Sequence, residues 1–329
     1  MPQGELQELL RRIGVEEAVG VDCSIVPTRH HGLVQVSTTD FFFPLVEDPV
    51  LQGRITAANV LSDMYALGVV DVDNVLMLLG ACRDMTPEER TIVSSGLMRG
   101  FTDAVEAAGS RVTGGQTTQN GWPLVGGVAM SCCSEAEIVR PVGARPGDVL
   151  VLTKPLGTQL AGNLYQWRRT NVAQCEQLAA NGVCSREDAM RAFDLAVASM
   201  CRLNRNGARA MHRHGAHCAT DVTGFGILGH ATNLAAHQTE KVDFVLRALP
   251  VIARMHAVNA VRNFKLTEGR SAETSGGLLV ALPADRVDAF IADLREADGT
   301  NTWVVGEVVA GSGTARMADD LEWIEVTEL

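Results

Sequence analysis

The residues with the clearest chemical potential are aspartates beside glycines or short polar side chains. In the run from Cys218 to His230, a short apolar segment ends at Asp221, closely spaced glycines follow, and a helix-like pattern begins. This order predicts a strand, a turn and a helix N-terminus, where free N–H groups and the helix dipole favour an anion. An anion held through a hard metal ion would suit both the carboxylate and the helix end. An ordinary strand–helix turn, with glycines required by its backbone geometry, is the structural alternative.

Three further aspartates share this setting, at predicted strands or on a polar helix face. They are Asp22, Asp40 and Asp63. Carboxylates with hydroxyl and amide neighbours form the ligand set of Mg²⁺. The repetition therefore predicts a magnesium site.

The segment from Gly53 to Gly68 is predicted to be a helix with an unusual polar face. A solvent-exposed face normally carries Lys, Glu and Arg, whereas this one carries short side chains at spacings of three and four. They are Thr56, Asn59, Ser62, Asp63 and Ala66. The face indicates side chains that line a tight site. A partly buried helix, whose polar groups are satisfied by neighbours, is the alternative.

Two other segments have the character of nucleotide contacts. The alternating run from Leu33 predicts a strand that ends in Thr38, Thr39 and Asp40. The segment from Gly114 to Thr118 predicts a glycine-rich turn, and such a turn brings backbone amides close to phosphate. Gly-Gly turns are common, so the second segment alone does not specify a ligand.

Composition narrows the class of protein. The chain has 329 residues, 46% hydrophobic and 20% charged, as expected of a globular protein with two domains. The net charge of −11 argues against non-specific nucleic-acid binding, and a polyphosphate ligand would need metal ions for screening. No apolar run reaches the roughly 20 residues that span a bilayer, so no membrane partner is predicted. Eight cysteines without a CxxC pair indicate reduced thiols and a cytosolic protein.

Predicted helices and strands alternate through the chain, beginning with a helix after Gln3. Prolines and glycines cluster in Arg140–Asp148, so we place a domain boundary there, between residues 1–142 and 143–329. Thr86 and Ser185 are predicted to cap helices, the second of which runs toward His214. The pattern predicts a mixed α/β (α+β) fold in two lobes.

Other ligand-binding motifs are absent or weak. The chain has neither a P-loop nor a complete GxGxxG after a first strand, which disfavours those nucleotide sites. His212, His214 and His217 lie near an arginine-rich helix end. A solvated basic helix terminus is predicted for them, and a zinc site is the alternative.

Several of these motifs occur in an order that resembles one known family, selenophosphate synthetase. The resemblance covers most of the chain and rests on Asp22, Thr38 to Asp40, Asn59, Ser62 to Gly68, Gly114 to Thr117, Thr220 to Gly229 and Thr274 to Leu279. It implies a two-domain fold like that of aminoimidazole ribonucleotide synthetase. It also implies a homodimer in which the N-terminal sheet pairs with its partner, with ATP between the domains.

The resemblance further implies a reaction and a ligand set. ATP, selenide and water would give selenophosphate, AMP and orthophosphate, with Mg²⁺ bridging the phosphates. The implied metal ligands are Asp22, Asp63 and Asp221. The implied nucleotide contacts are Thr38, Thr39, Asp40, Asn59, Gly114, Gly115, Gln116 and Thr117.

The chain departs from the family pattern at its start. The family carries an N-terminal segment with a catalytic Cys or selenocysteine and a Lys three residues later. The resemblance places that segment upstream of Pro2, and no Cys or Lys precedes Asp22 here, so the catalytic residue is unknown. We therefore expect this form to fold and dimerise but to make no selenophosphate.

Two alternatives remain open within this fold. The first is a non-catalytic paralogue that acts as a regulatory binding subunit. The second is another ATP-dependent enzyme of the same fold, which would act on a purine intermediate, a thiamine phosphate or a carbamoyl group.

Overall fold

Two mixed sheets form the framework of the protein. The computed structural model describes residues 8–9, 11–14 and 22–329. Pro2 and most of the helix predicted after Gln3 lie outside the described residues. Residues 24–134 contribute the first sheet and residues 149–326 the second. Each sheet with its helices is called a lobe below. In the described ranges, no helix is long and apolar enough to cross a membrane.

Between residues 24 and 134, all of which the structure describes, the first lobe contains five strands and two α-helices. They are β1 (Ser24–Pro27), β2 (Leu33–Phe42), α1 (Pro49–Ala66), β3 (Asn74–Cys82), α2 (Pro87–Ala107), β4 (Val112–Asn120) and β5 (Leu124–Ser134). The strand order is β1-β2-β5-β3-β4, and only β3 and β4 are parallel neighbours. Alternate residues of β2 are buried, which places one face of the sheet against the helices.

The second lobe has a sheet of six strands in the order β11-β8-β10-β6-β9-β7. The strands are β6 (Val149–Leu152), β7 (Cys218–Asp221), β8 (Val242–Ile252), β9 (Leu278–Leu282), β10 (Trp303–Ala310) and β11 (Ala315–Val326). The helices are α3 (Thr158–Thr170), α4 (Val172–Ala180), α5 (Arg186–Cys201), α6 (Arg205–His214), α7 (Gly226–Ala236), α8 (Met255–Val261) and α9 (Val287–Asp298). Strand β7 lies at an edge of this sheet and contacts α1 of the first lobe.

Helix α1 is buried on almost every side because it lies between the two lobes. The Asp48 side chain caps its first turn, and Pro49 opens it, so it begins four residues before the predicted Gly53. Two glycines permit its close approach to α2. A Cβ at Gly53 would lie 2.2 Å from the Leu97 carbonyl oxygen, and one at Gly100 would lie 1.9 Å from that of Val50.

The predicted end of one strand and one predicted turn are wrong, because strand pairing continues through both segments. Strand β2 does not end at Asp40 but pairs with β5 as far as Phe42. The segment from Gly114 to Thr118 is not a turn, since it lies in the edge strand β4, parallel to β3. Gly115 has a φ of +149°, and a Cβ there would lie 1.9 Å from the Met77 carbonyl oxygen. Glycine is therefore needed for strand packing at this position.

Two helices of the second lobe are shorter than predicted. Ser185 caps α5 as predicted, but the helix ends at Cys201, and α6 begins at Arg205. The break follows from Arg202, which takes extended angles and donates a hydrogen bond to the Thr153 carbonyl oxygen. The sequence from Ile252 to Phe264 has a helix-like pattern that predicts one helix, but β8 continues to Ile252 and the helix is reduced to α8.

Candidate metal and nucleotide site

The two lobes bring carboxylates together at their junction. Asp22 precedes β1, Asp221 ends β7, and His230 lies on α7. One potential ligand atom from each of the three lies within 4.8 Å of the other two. Strand β7 therefore ends where the sequence predicted, with its last side chain turned toward the first lobe.

The carboxylates of Asp22 and Asp221 each keep an unpaired oxygen. The Thr220 hydroxyl donates to Asp22 Oδ1 at 2.9 Å. The Oδ2 atoms of Asp22 and Asp221 are buried and have no hydrogen-bond partner among the residues that the structure describes. Buried carboxylate oxygens without a donor are unfavourable, and a hard divalent cation satisfies them. The residues present therefore fit a Mg²⁺ ion.

Asp63 and Asp40 extend this acidic cluster on the side of the first lobe. The Thr38 hydroxyl donates to Asp63 Oδ2 at 2.5 Å. The Asn59 amide donates to Asp40 Oδ2 at 3.1 Å. Asp63 lies close enough to Asp22 and Asp221 for their charges to act on it. Its carboxylate is held by Thr38 of β2 rather than by a residue of the second lobe.

Burial raises the pKa of all four carboxyls, and repulsion between carboxylates raises it further for Asp22, Asp40 and Asp63. Desolvation is the main cause of each rise, and the charge of Asp221 adds to the rise at its three neighbours. The pKa of Asp40 rises to about 7 and that of Asp221 to about 6, while those of Asp22 and Asp63 lie well above their ordinary values. A bound cation would favour the ionised forms, so the cluster is better suited to a metal complex than to free carboxylates.

His230 was not identified from the sequence, and it orients the turn after Asp221. Its buried Nε2 accepts N–H groups from Thr223 at 3.1 Å and from Phe225 at 3.4 Å. Desolvation lowers the pKa of the ring to about 4, so the ring is neutral and its proton is on Nδ1. Neither nitrogen then has a free lone pair for a metal. We therefore assign the ligand role to the carboxylates and a supporting role to His230, although its ring lies within ligand distance.

Lys154 and Glu273 are buried charged groups that the sequence analysis also missed. Lys154 is completely buried near Asp221, and its charge opposes the rise in the pKa of that carboxyl. Glu273 accepts N–H groups from Gly157 and Thr158 and so caps α3. In the sequence, one residue separates Lys154 from an apolar strand, but this position does not reveal what the lysine side chain contacts.

The segment from Gly114 to Thr117 is not part of the carboxylate cluster. It lies on the exposed edge strand β4, and no hydrogen bond joins it to these aspartates in the described part of the chain. Thr39 also points away, and its hydroxyl donates to the Gly127 carbonyl oxygen at 3.3 Å. Of the predicted nucleotide contacts, Thr38, Asp40 and Asn59 are the ones that border the aspartates.

The catalytic Cys or selenocysteine of the family resemblance has no counterpart in this cluster. The resemblance places it upstream of Pro2, and Pro2 lies outside the described residues. Among the described residues, the Cys23 thiol is buried close to these aspartates, whose charges act on it. The described groups of this site are therefore assigned a binding role.

The three neighbouring histidines do not form a zinc site. The His212 ring contacts the Gly68 carbonyl oxygen, while His214 and His217 contact Asp293 and Asp148. The prediction of a solvated helix end holds for His212, which is exposed, whereas His214 and His217 are half-buried and paired with carboxylates of other segments. Helix α6 packs against α9 and α1.

Known proteins share both halves of this architecture. The family described as AIR synthase related protein, N-terminal domain, matches residues 20–132, and its C-terminal domain matches residues 145–319. Thiamine-monophosphate kinase from Aquifex aeolicus superposes with a TM-score of 0.68 at 18% identity, covering 98% of this chain and 99% of the other. Hydrogenase maturation protein HypE in complex with ATP gives 0.65 at 18% identity, covering 86% and 81%. These structures establish the predicted two-domain fold.

Relatives matched by sequence have a much higher identity to this chain than these structures do. Selenide, water dikinase of Dictyostelium discoideum is 49% identical over 311 residues, covering 94% of this chain and 84% of the relative. The protein of that name from Trypanosoma brucei brucei is 49% identical over 343 residues, covering 99% and 86%. Selenide, water dikinase 2 of Mus musculus is 48% identical over 313 residues, covering 94% and 69%. The chain therefore belongs to the selenide, water dikinase family.

Proposed function

We propose that this chain binds Mg²⁺ and ATP as required for the reaction of its family, the synthesis of selenophosphate, and that turnover itself requires the Cys or selenocysteine and the Lys that the family resemblance implies. ATP, selenide and water would give selenophosphate, AMP and orthophosphate, and selenophosphate would supply selenium for selenocysteine synthesis. The observation that carries the proposal is the pair of buried, unpaired oxygens on Asp22 and Asp221. They come from different lobes and lie within ligand distance of each other.

The aspartates would hold Mg²⁺ in this reaction. Asp22 and Asp221 offer free oxygens, and Asp63 lies beside them with one oxygen held by Thr38. The metal would supply charge neutralisation for the phosphates, which is most of what phosphoryl transfer requires. This arrangement lets a chain of net charge −11 accept a polyphosphate.

Asn59 has a bridging role in the proposed site. Its amide donates to Asp40, and its Oδ1 accepts the Ser275 N–H at 2.7 Å. Both ends of the carboxamide are therefore engaged across the lobes. We propose that Asn59 positions Asp40 beside the nucleotide through these two bonds.

We also propose that the chain forms a homodimer through the first sheet. Phe41, Phe43 and Trp122 are exposed there by 64%, 56% and 67%. Phe41 and Gln116 line an open groove of about 360 Å³ on this sheet. A partner seated on the groove would cover the aromatic residues, and it would bring a second chain against the strand that carries Gly114 to Thr117.

Cys23 is not a suitable nucleophile for selenide chemistry. Its thiol is buried near the aspartates, and both burial and their charges raise its pKa. The thiol therefore stays protonated and unreactive. This observation favours a second candidate function, a binding subunit of the same family that holds Mg²⁺ and ATP without turnover.

All eight cysteines are free thiols, which supports the proposed cytosolic setting.

Binding and product analysis test these proposals in sequence. ATP binding should require Mg²⁺, and replacing Asp221 with Ala should abolish it while the protein stays folded. Binding that persists unchanged without Mg²⁺ or without Asp221 would overturn the proposed site. With selenide added, AMP and two phosphorus products would identify the dikinase, bound ATP without product would favour the binding subunit, and ADP as the final product would refute both.

A further inference from the structure

Three loops of the second lobe meet behind the carboxylate cluster. They are Thr153–Thr158 after β6, Arg202–Asn204 between α5 and α6, and Glu273–Gly277 before β9. We call this meeting point the loop junction. Lys154 is its centre, since its side chain has 0% exposure and lies among all three loops.

The Lys154 Nζ has three acceptors within the loop junction, while burial lowers the pKa of the amine well below its ordinary value. Its Nζ donates to the Arg202 carbonyl oxygen at 2.6 Å and to the Ser275 carbonyl oxygen at 2.8 Å. The Ser275 hydroxyl is a third acceptor at 3.4 Å. A buried ammonium without partners is very unfavourable, so these contacts are directional constraints on the loops.

The loop that receives Lys154 is in a conformation that needs such constraints. Ser275 has a φ of 46°, in the left-handed region that non-glycine residues rarely occupy. A Cβ at Gly276 would lie 1.9 Å from the Val222 carbonyl oxygen, and one at Gly277 would lie 2.4 Å from the backbone nitrogen of Lys154. The loop therefore packs closely against both the lysine segment and the turn after Asp221.

Hydrogen bonds lead from the loop junction to both sides of the acidic cluster. The Ser275 N–H donates to Asn59, which in turn donates to Asp40. On the other side, the Asn204 amide donates to the Gly276 carbonyl oxygen at 2.8 Å and to the Ser62 hydroxyl at 2.9 Å. Ser62 lies against Asp221 and opposes the rise in its pKa.

We propose that Lys154 is a positioning residue that sets the arrangement of the metal-binding aspartates through the loop junction. The inference rests on the proposed Mg²⁺ and ATP site, and it adds a residue that does not itself touch either ligand. Its loss would release Ser275 and Gly276, and with them the groups that orient Asp40 and Asp221.

The direction of the effect separates this role from a simple charge effect. A cation near Asp221 repels a metal ion, so a lysine that acted only through its charge would weaken metal binding. Replacing it with Met would then raise the affinity for Mn²⁺, used here as a probe for Mg²⁺. A positioning role predicts the opposite, a loss of affinity of about tenfold or more, as for other supporting residues of metal sites.

Two variants and one control make the test. Lys154→Met removes the three hydrogen bonds and the charge. Asn204→Ala removes the bonds to Gly276 and Ser62 but keeps the lysine charge. Val305→Ala is the control, because Val305 is completely buried in β10, two strands away from β9, and should lower stability without disturbing the loop junction.

Two readouts are measured on the full chain. The first is Mn²⁺ affinity with a non-hydrolysable ATP analogue, and the second is amide hydrogen exchange over residues 273–277 without ligand. Both variants should lose affinity and exchange about tenfold faster there, whereas Val305→Ala should do neither at a matched loss of stability. If Lys154→Met does not fold, Asn204→Ala decides the matter.

Unchanged or increased Mn²⁺ affinity in the folded variants would overturn the proposal. So would exchange in residues 273–277 that merely follows global stability, as in the control. Failure of the unmodified protein to bind Mn²⁺ would instead refute the proposed function. The exchange readout would still decide whether Lys154 holds the loop.

Discussion

Replacing Asp221 with Asn should stabilise the metal-free protein above about pH 6. The pKa of this carboxyl is about 6 in the folded chain, against an ordinary value of 3.8. The folded state therefore binds the proton more tightly than the unfolded state, and stability is lost as the pH rises between these two values. The difference corresponds to about 3 kcal/mol, which the neutral Asn side chain would avoid.

The neighbouring carboxylates act in the same direction. The charge of Asp221 raises the pKa of Asp22, Asp40 and Asp63, so its removal also relieves them. Loss of the attraction between Asp221 and Lys154 opposes this gain. The advantage of the variant should thus be small below pH 4, grow through pH 4–6, and level off at about 3 kcal/mol.

Urea unfolding in a chelator, from pH 4 to pH 8, measures this difference directly. Asp285→Asn is the control, because the Asp285 side chain is 77% exposed and should give no such pH-dependent gain. With Mg²⁺ and an ATP analogue the order should reverse, since the unmodified protein gains binding energy that the variant lacks. A variant that is less stable than the unmodified metal-free protein at every pH would refute the electrostatic reasoning.

Three further outcomes follow from single contacts. His230→Ala should weaken Mn²⁺ binding about tenfold, because two N–H groups of the turn lose their acceptor, and His230→Gln should weaken it less; equal effects would argue against the assigned role. Cys23→Ser should give the same products from ATP and selenide as the unmodified protein, because the buried thiol provides no nucleophile; a changed product pattern with ATP binding intact, measured by equilibrium dialysis, would contradict that view. Phe41→Asp should shift the protein toward monomers in sedimentation analysis, with Trp122→Asp as a second variant on the same sheet, whereas an unchanged mass for both would refute the proposed dimer surface.

Local signals predicted several boundaries of the fold correctly. Strand β7 ends at Asp221, Ser185 caps α5, and Thr86 forms a complete capping box at the start of α2. In each case the information lies within a few neighbouring residues, as a cap, a glycine or an apolar run. Such features survive in the folded chain because tertiary contacts do not compete with them.

Other features depend on contacts between distant segments. The local sequence around Gly115 predicts a turn, because it carries no information about pairing with β3. The packing role of this glycine follows from that pairing. Lys154 and His230 carry no motif of their own, because their roles depend on carbonyl and N–H groups of other loops. The proximity of Asp22 and Asp221, nearly 200 positions apart, came from family resemblance rather than from spacing.

The central claim is that the unpaired oxygens of Asp22 and Asp221 bind a divalent cation. Calorimetric titration of Mn²⁺ with an ATP analogue, on Asp22→Asn, Asp221→Asn and the control Asp285→Asn, tests it most directly. Either site variant should lose more affinity than the roughly 10–100-fold expected for a supporting residue, while the control binds normally. Site variants that bind Mn²⁺ as tightly as the unmodified protein would contradict the account.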